Sequence, residues 1–245
     1  MEKPFGKDQL KRARDSLSKI DRETFEARLK NLTELMVFFA IDVRLEVALP
    51  LESTQNFWNE ALVDYLNECF RSCIFSCASA VEQAFKERLI ADSEDPEESL
   101  WRFEIKKSTF GEIIKEARQN KKLKEHISKA NKINKIRNEI AVHPIQVPTF
   151  PKPQTRRKSV LTNLTMIRAV SKLLTFLPNK LSDEITNLNV GKDKKRTLRE
   201  ILDDPTVPEI RLAWHDLQRV LLRYFAYTTL IDTHSIMAKL YGKKK

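Results

Sequence analysis

Glycine is nearly missing from this sequence, with 4 in 245 residues, and it never recurs at short intervals. That removes the glycine-rich loop that cradles phosphates in nucleotide-binding folds and the Gly-x-Ser-x-Gly elbow of many hydrolases. Neither regularly spaced turn signals nor a β-α-β alternation is visible, so the expected class is all-α. Cysteine is scarce too. Cys69, Cys73 and Cys77 stand four apart in a helical pattern. Structural zinc wants four ligands and a disulfide framework wants an oxidising compartment, so these three are expected to pack as small buried hydrophobes. The four histidines, His126, His143, His215 and His234, include no H-x3-H pair, and no metal or other cofactor is expected. His215 and His234 read as residues of helix surfaces or edges. Long apolar runs are missing as well. The longest, Leu35 to Ile41, falls far short of the ~20 residues that span a bilayer, and no charged-then-apolar leader opens the chain. A cytoplasmic protein with no membrane partner is the expectation.

What is abundant is positive charge and helical periodicity. Lys plus Arg number 44 against 34 Asp plus Glu, a formal net charge of +10. Such a balance favours a polyanionic partner, although solvated helix faces account for the same excess. Asp21 is read as the N-cap of a helix carrying Phe25, Leu29, Leu32, Met36, Phe39 and Val43 at heptad-like spacing, closed by Pro50. From Asn56 to Ala91 apolar pairs recur every four residues, from Phe57/Trp58 to Cys77/Ala78, which reads as one long central helix with a winding stripe. Asp92 to Glu98 is acidic, contains Pro96 and reads as a solvated loop. Thr109 and Glu112 have capping-box spacing ahead of Phe110, Ile113, Ile114 and Ala117. The next helix runs from about Leu123 to near His143, where Pro144 stops it. Four prolines between 144 and 153 mark a connector. Val160 to Leu177 is amphipathic and ends at Pro178, Asn187 to Arg196 reads as a Lys-rich loop, and about Glu209 to Leu240 is a last long helix. The organisation expected is an N-terminal helical extension over 1–50, a helical domain over 51–178, and a C-terminal helical extension over 179–245, packed on the same core or at a dimer interface.

One segment points to chemistry: Ile136-Arg137-Asn138-Glu139-Ile140-Ala141-Val142-His143-Pro144. Arg137 falls in line with His126, Ala130 and Ile133, so it borders an apolar stripe, and an arginine in that position demands a partner. Glu82 is the candidate carboxylate, against the ordinary reading of a solvent-facing helix glutamate. His143 lies six residues on, about 120° away in an unbroken helix, and the stop at Pro144 allows it to swing toward the same cleft.

Arg137, Asn138 and His143 match the R-x(4-6)-H signature of the HEPN superfamily, with its polar residue directly after the arginine. Ser79-Ala80-Val81-Glu82-Gln83-Ala84-Phe85 resembles that family's earlier core helix, and Thr109-Phe110-Gly111-Glu112-Ile113-Ile114 the segment leading to the motif helix. The resemblance covers about Asn56 to Leu177. It implies a HEPN-like helical bundle and a metal-independent endoribonuclease of the kind that serves antiviral defence or toxin-antitoxin systems. Catalytic roles fall to Arg137, His143 and Asn138, with Glu82 in support, in a composite cleft between two protomers. A homodimer, RNA as partner and a cognate protein inhibitor or activator follow from the same resemblance. The alternative it leaves is a non-catalytic helical module that binds RNA or a protein.

Substrate holding has its own candidates. Between Lys115 and Arg137 nine residues are Lys or Arg and only Glu116 and Glu125 are acidic. Lys122, Lys129, Lys132 and Lys135, with Arg156, Arg157 and Lys158 beyond the connector, are expected to track a phosphate backbone, which a solvated helix face would mimic. Lys192 to Arg196 extends that surface.

Overall fold

The computed structural model describes residues 7–38, 52–105, 108–142, 167–168, 170–171, 174–175, 177–187, 189–190, 196–203 and 210–241. His143, Arg156, Arg157, Lys158 and most of the 144–177 stretch lie outside them, as do Lys192 and the residues up to 195. The chain divides into two compact units, 1–137 with 226–245, and 138–225.

The first unit opens with α1, Lys7–Phe38. Asp21 is interior to this helix and not its cap. No glycine or proline stands between Gly6 and Pro50, so nothing interrupts helical propagation at residue 20. Asp21 instead accepts from Arg28 Nη2 at 3.5 Å. Toward its C-terminal end α1 is packed: Asn31 and Leu35 are buried, and Asn31 Nδ2 donates to the Tyr65 carbonyl at 3.2 Å.

The single helix expected over Asn56 to Ala91 is two, α2 (Glu52–Leu66) and α3 (Phe70–Ala91). Glu68 adopts the left-handed region with φ 59°. The Cys69 amide donates to the Asp64 carbonyl at 2.8 Å and the Glu68 amide to the Tyr65 carbonyl at 3.2 Å. This is a Schellman termination with glutamate where glycine normally sits, a substitution costing about 1 kcal/mol. Thr54 at the start of α2 meets Glu87 near the end of α3, and Asp64 meets Ser76, so the helices run antiparallel. The apolar pairs therefore face one another across a hairpin. Trp58, Ala61, Leu62 and Tyr65 of α2 are buried with Cys73, Ile74, Cys77 and Ala78 of α3. Cys73 and Cys77 pack as expected, burial pushing the Cys73 thiol well up, while Cys69 is exposed.

Within the stretch read as a loop, Asp92 to Glu98, begins α4, Pro96–Leu100. Asp95 Oδ1 accepts from the Glu98 amide at 3.0 Å, Pro96 takes the first helical position, and Glu97 and Glu98 fill the first turn. A π-helical turn, Trp101–Ile105, follows. The capping box forms as the spacing requires: the Thr109 amide donates to Glu112 Oε2 at 2.7 Å and the Glu112 amide to Thr109 Oγ1 at 3.4 Å, opening α5, Phe110–Ala117. A 3-10 turn (Lys124–His126) leads into α6, Ile127–Ile136, and a π-helical turn spans Arg137–Val142. One core cluster joins Ala78, Val81 and Phe85 of α3, Phe103, the buried face of α5, Ala130 and Ile133 of α6, and Ile236.

In the second unit α7 is Asn179–Thr186, with Pro178 as its N-cap residue. A two-residue antiparallel ladder, β1 (Asn189–Val190) with β2 (Arg196–Thr197), sits where a loop is expected and is the only strand pairing among the described residues. Thr197 and Glu200 cap α8, Leu198–Asp203, reciprocally. The last helix, α9, is Ile210–Tyr241, one residue from the expected bounds at each end; its residues from Ala226 onward belong to the first unit. The protein is all-α apart from the short ladder, and no helix among the described residues is long and apolar enough to cross a membrane.

Two histidines of the first unit are withdrawn from water, His126 almost wholly and His234 in part. His126 is buried, and His234, expected at a helix edge, lies with its ring 6.0 Å from the Trp58 ring. Desolvation lowers both pKa values from 6.5; at His126 it outweighs the opposing Glu125 carboxylate, and Lys239 and Lys129 push the same way as desolvation. A group whose folded pKa is depressed contributes stability that is present above its unfolded pKa and is lost as pH falls. The melting temperature should therefore drop over the range just below about pH 6.5, the ordinary histidine value, each histidine contributing at most ~1.4 kcal/mol per pH unit. His126→Gln should flatten that limb. Thermal melts that are level across this range would show that both imidazoles protonate freely in the folded state.

Candidate functional site

The site is built where α3, α5 and α6 meet. Glu82 and Lys86 lie four apart on α3, glutamate first, the order that favours an ion pair along a helix. Lys86 Nζ is 3.3 Å from Glu82 Oε1. Arg137 is the C-cap residue of α6, and its Nη1 is 3.3 Å from the other oxygen, Glu82 Oε2. Its guanidinium also lies over the Phe110 ring, 5.6 Å from the centroid. Phe110 is held by the capping box at its own helix start and is fully buried, so it is a rigid floor for the arginine. Side-chain exposure is 13% for Lys86, 21% for Glu82 and 22% for Arg137, so all three are largely withdrawn from bulk water. The helix passes from α to π hydrogen bonding at Arg137, whose own backbone stays in the right-handed α region, and such π-helical turns occur disproportionately at functional sites.

The structure thus brings together Glu82 and Arg137. Asn138 follows Arg137 in the π-helical turn and is partly buried. Lys86 is absent from the residues singled out by sequence, although its E-x3-K spacing from Glu82 was a signal for it.

The lysines expected to track phosphate are engaged within the chain. Lys122 Nζ donates to Asp92 Oδ1 at 2.8 Å. Burial raises the Asp92 carboxyl, but Lys122, Asn120 and Arg88 together outweigh it and hold the group below its ordinary value. Lys129 Nζ donates to Ser235 Oγ at 2.5 Å and Lys132 Nζ to Asp232 Oδ2 at 2.8 Å, both on α9. Lys239 of α9 pairs in turn with Glu125 at 3.5 Å. Lys135 is exposed. Exposed pairs of this kind are worth about 0–1 kcal/mol, so they do not bar a phosphate contact, but Asp92, Asp232 and Glu125 dilute the positive field of this face.

These elements define an all-α protein with a half-buried lysine-glutamate-arginine cluster at the end of α6. Comparison with protein-family models, with curated proteins and with solved structures finds no match to this chain.

Proposed function

We propose that this chain is a metal-independent HEPN-type endoribonuclease, acting in a defence or toxin role. The observation that carries the reading is Arg137. The motif arginine is not spread on a solvated helix face but held by Glu82, above Phe110, where α6 passes into a π-helical turn. In the reaction the RNA 2′-hydroxyl attacks the adjacent phosphorus, the bond to the 5′-oxygen breaks, and a 2′,3′-cyclic phosphate and a 5′-hydroxyl result. His143 takes the hydroxyl proton, its ordinary pKa lying near neutrality, and that proton ends on the departing 5′-oxygen, passed back from the imidazolium directly or through water. Arg137 stabilises the charge that grows on the phosphoryl oxygens, and Asn138 orients the arginine or the phosphate. DNA has no 2′-hydroxyl and would not react. Cleavage of RNA by the purified protein in EDTA tests the reading directly.

A second reading, a non-catalytic helical module that binds RNA or a protein partner, is favoured by one feature. Phe25, Leu29 and Met36 on α1 are 54%, 46% and 40% exposed, a stripe of the heptad-like spacing read in the sequence that nothing among the described residues of the first unit buries. In the ribonuclease reading a second copy of the chain covers it and completes the cleft. Light scattering at micromolar concentration should then return about twice the 28.6 kDa of one chain. A single-chain mass would remove both the paired stripes and the composite cleft.

A further inference from the structure

Two cations converge on one carboxylate at this site. Lys86 Nζ and Arg137 Nη1 approach the two oxygens of Glu82 separately, each at 3.3 Å. Charge-assisted contacts of this type close to about 2.7–2.9 Å when geometry is ideal, so both contacts to Glu82 are longer than the ideal. A carboxylate and a phosphodiester both present a fork of two acceptor oxygens, and a guanidinium donates to either in the same way. An ammonium on a flexible stem follows the anion wherever it sits. We propose that Lys86 is a second phosphate-holding residue of the site, beside Arg137, and that the Glu82 carboxylate is an internal stand-in that an RNA phosphodiester displaces.

The rest of the surroundings fit that role. Glu82 and Lys86 lie on a helix whose neighbouring residues, Val81, Ala84 and Phe85, are fully buried, so the α3 backbone under them is fixed. Arg137 is fixed from the other side by Phe110. A phosphate entering between them meets two positioned cations with little reorganisation, and the low exposure of both strengthens the attraction relative to a surface lysine. Glu82 offsets the repulsion between the two cations while no substrate is present and lowers their affinity for small anions, since any anion must first compete with it.

This inference rests on the ribonuclease reading for its substrate, and the test separates the two. The probe is a fluorescein-labelled 2′-O-methyl oligoribonucleotide, which lacks the nucleophile and reports binding alone by anisotropy. Lys86→Met should weaken binding about tenfold, the worth of one charge-assisted contact, and Lys86→Arg should restore most of it. Glu82→Gln removes the competing charge and should tighten binding several-fold. Inorganic phosphate should displace the probe from Glu82→Gln at lower concentration than from the wild type. Lys86→Met with wild-type affinity, or Glu82→Gln binding no tighter than wild type, would overturn the proposal. If Lys86→Met does not fold, the Glu82→Gln and phosphate arms decide alone. Unmodified RNA in EDTA is the parallel arm: a wild type that binds in this pattern without cutting loses the ribonuclease reading and keeps the anion site, and one that cuts while Lys86→Met binds normally does the reverse.

Discussion

Alanine at Arg137 or at His143 should each reduce RNA cleavage in EDTA by about 10²–10⁴-fold, the range for losing a positioned charge stabiliser or a general base. The products of the wild type should carry 2′,3′-cyclic phosphate ends, because the nucleophile is the neighbouring hydroxyl and not water. The two variants differ in what else they disturb. Arg137→Ala takes a cation from Glu82 and a stacked group from Phe110, and should cost up to about 2 kcal/mol of stability through lost packing and pairing. Arg137→Lys keeps the charge but loses the fork, so it should recover stability better than rate. Full cleavage by both folded alanine variants, or wild-type cleavage that vanishes in EDTA, would sink the catalytic reading and leave a helical binding module.

The parts of this fold that were legible in the sequence are those where a local rule has no competitor. Thr109 and Glu112 cap a helix because both halves of the reciprocal hydrogen bond are encoded three residues apart. The last helix is legible because no breaker interrupts 32 residues. The break after α2 was hidden because its left-handed residue is Glu68: the pattern of apolar pairs continues across it, and only the tertiary gain of folding α2 back on α3 makes the strained residue worthwhile. Asp21 misled for the opposite reason, a residue that favours caps standing in the middle of a helix. Asp95-Pro96 is a cap signal that the acidity of its surroundings disguised.

At the site, Glu82 was reachable from the demand that a half-buried arginine be paired, while Lys86 became visible only once Glu82 was fixed on α3. The engagement of Lys129 and Lys132 was not legible at all. It depends on Asp232 and Ser235 some hundred positions further on, and charge counts along one helix carry no information about which acidic residues a distant helix brings.

The C-terminal half of α9 should prove indispensable to the first unit. Ile236 is fully buried in the cluster with Val81, Phe85 and Phe103, and its neighbour Met237 is fully buried against Ala80 and Ala84 on α3. Two consecutive residues of one helix thus enter two clusters, and small residues on α3 leave the space that Met237 fills. Tyr241 closes the end, its hydroxyl donating to Glu87 Oε2 at 2.9 Å while Thr54 donates to the other oxygen at 2.5 Å, so α2, α3 and α9 share one buried carboxylate. Ile236→Ala and Met237→Ala should each cost about 2–5 kcal/mol, a large part of the ~5–15 kcal/mol that holds a typical domain. Phe25→Ala, at a residue more than half exposed, should change stability by less than about 0.5 kcal/mol in the single chain. Chemical denaturation followed by helical ellipticity measures all three. A chain ending at Ser235 loses both side chains and the Tyr241 contact together, and it should show no cooperative unfolding of the first unit; a cooperative transition of wild-type midpoint would mean that residues 236–241 pack on the unit without supporting it.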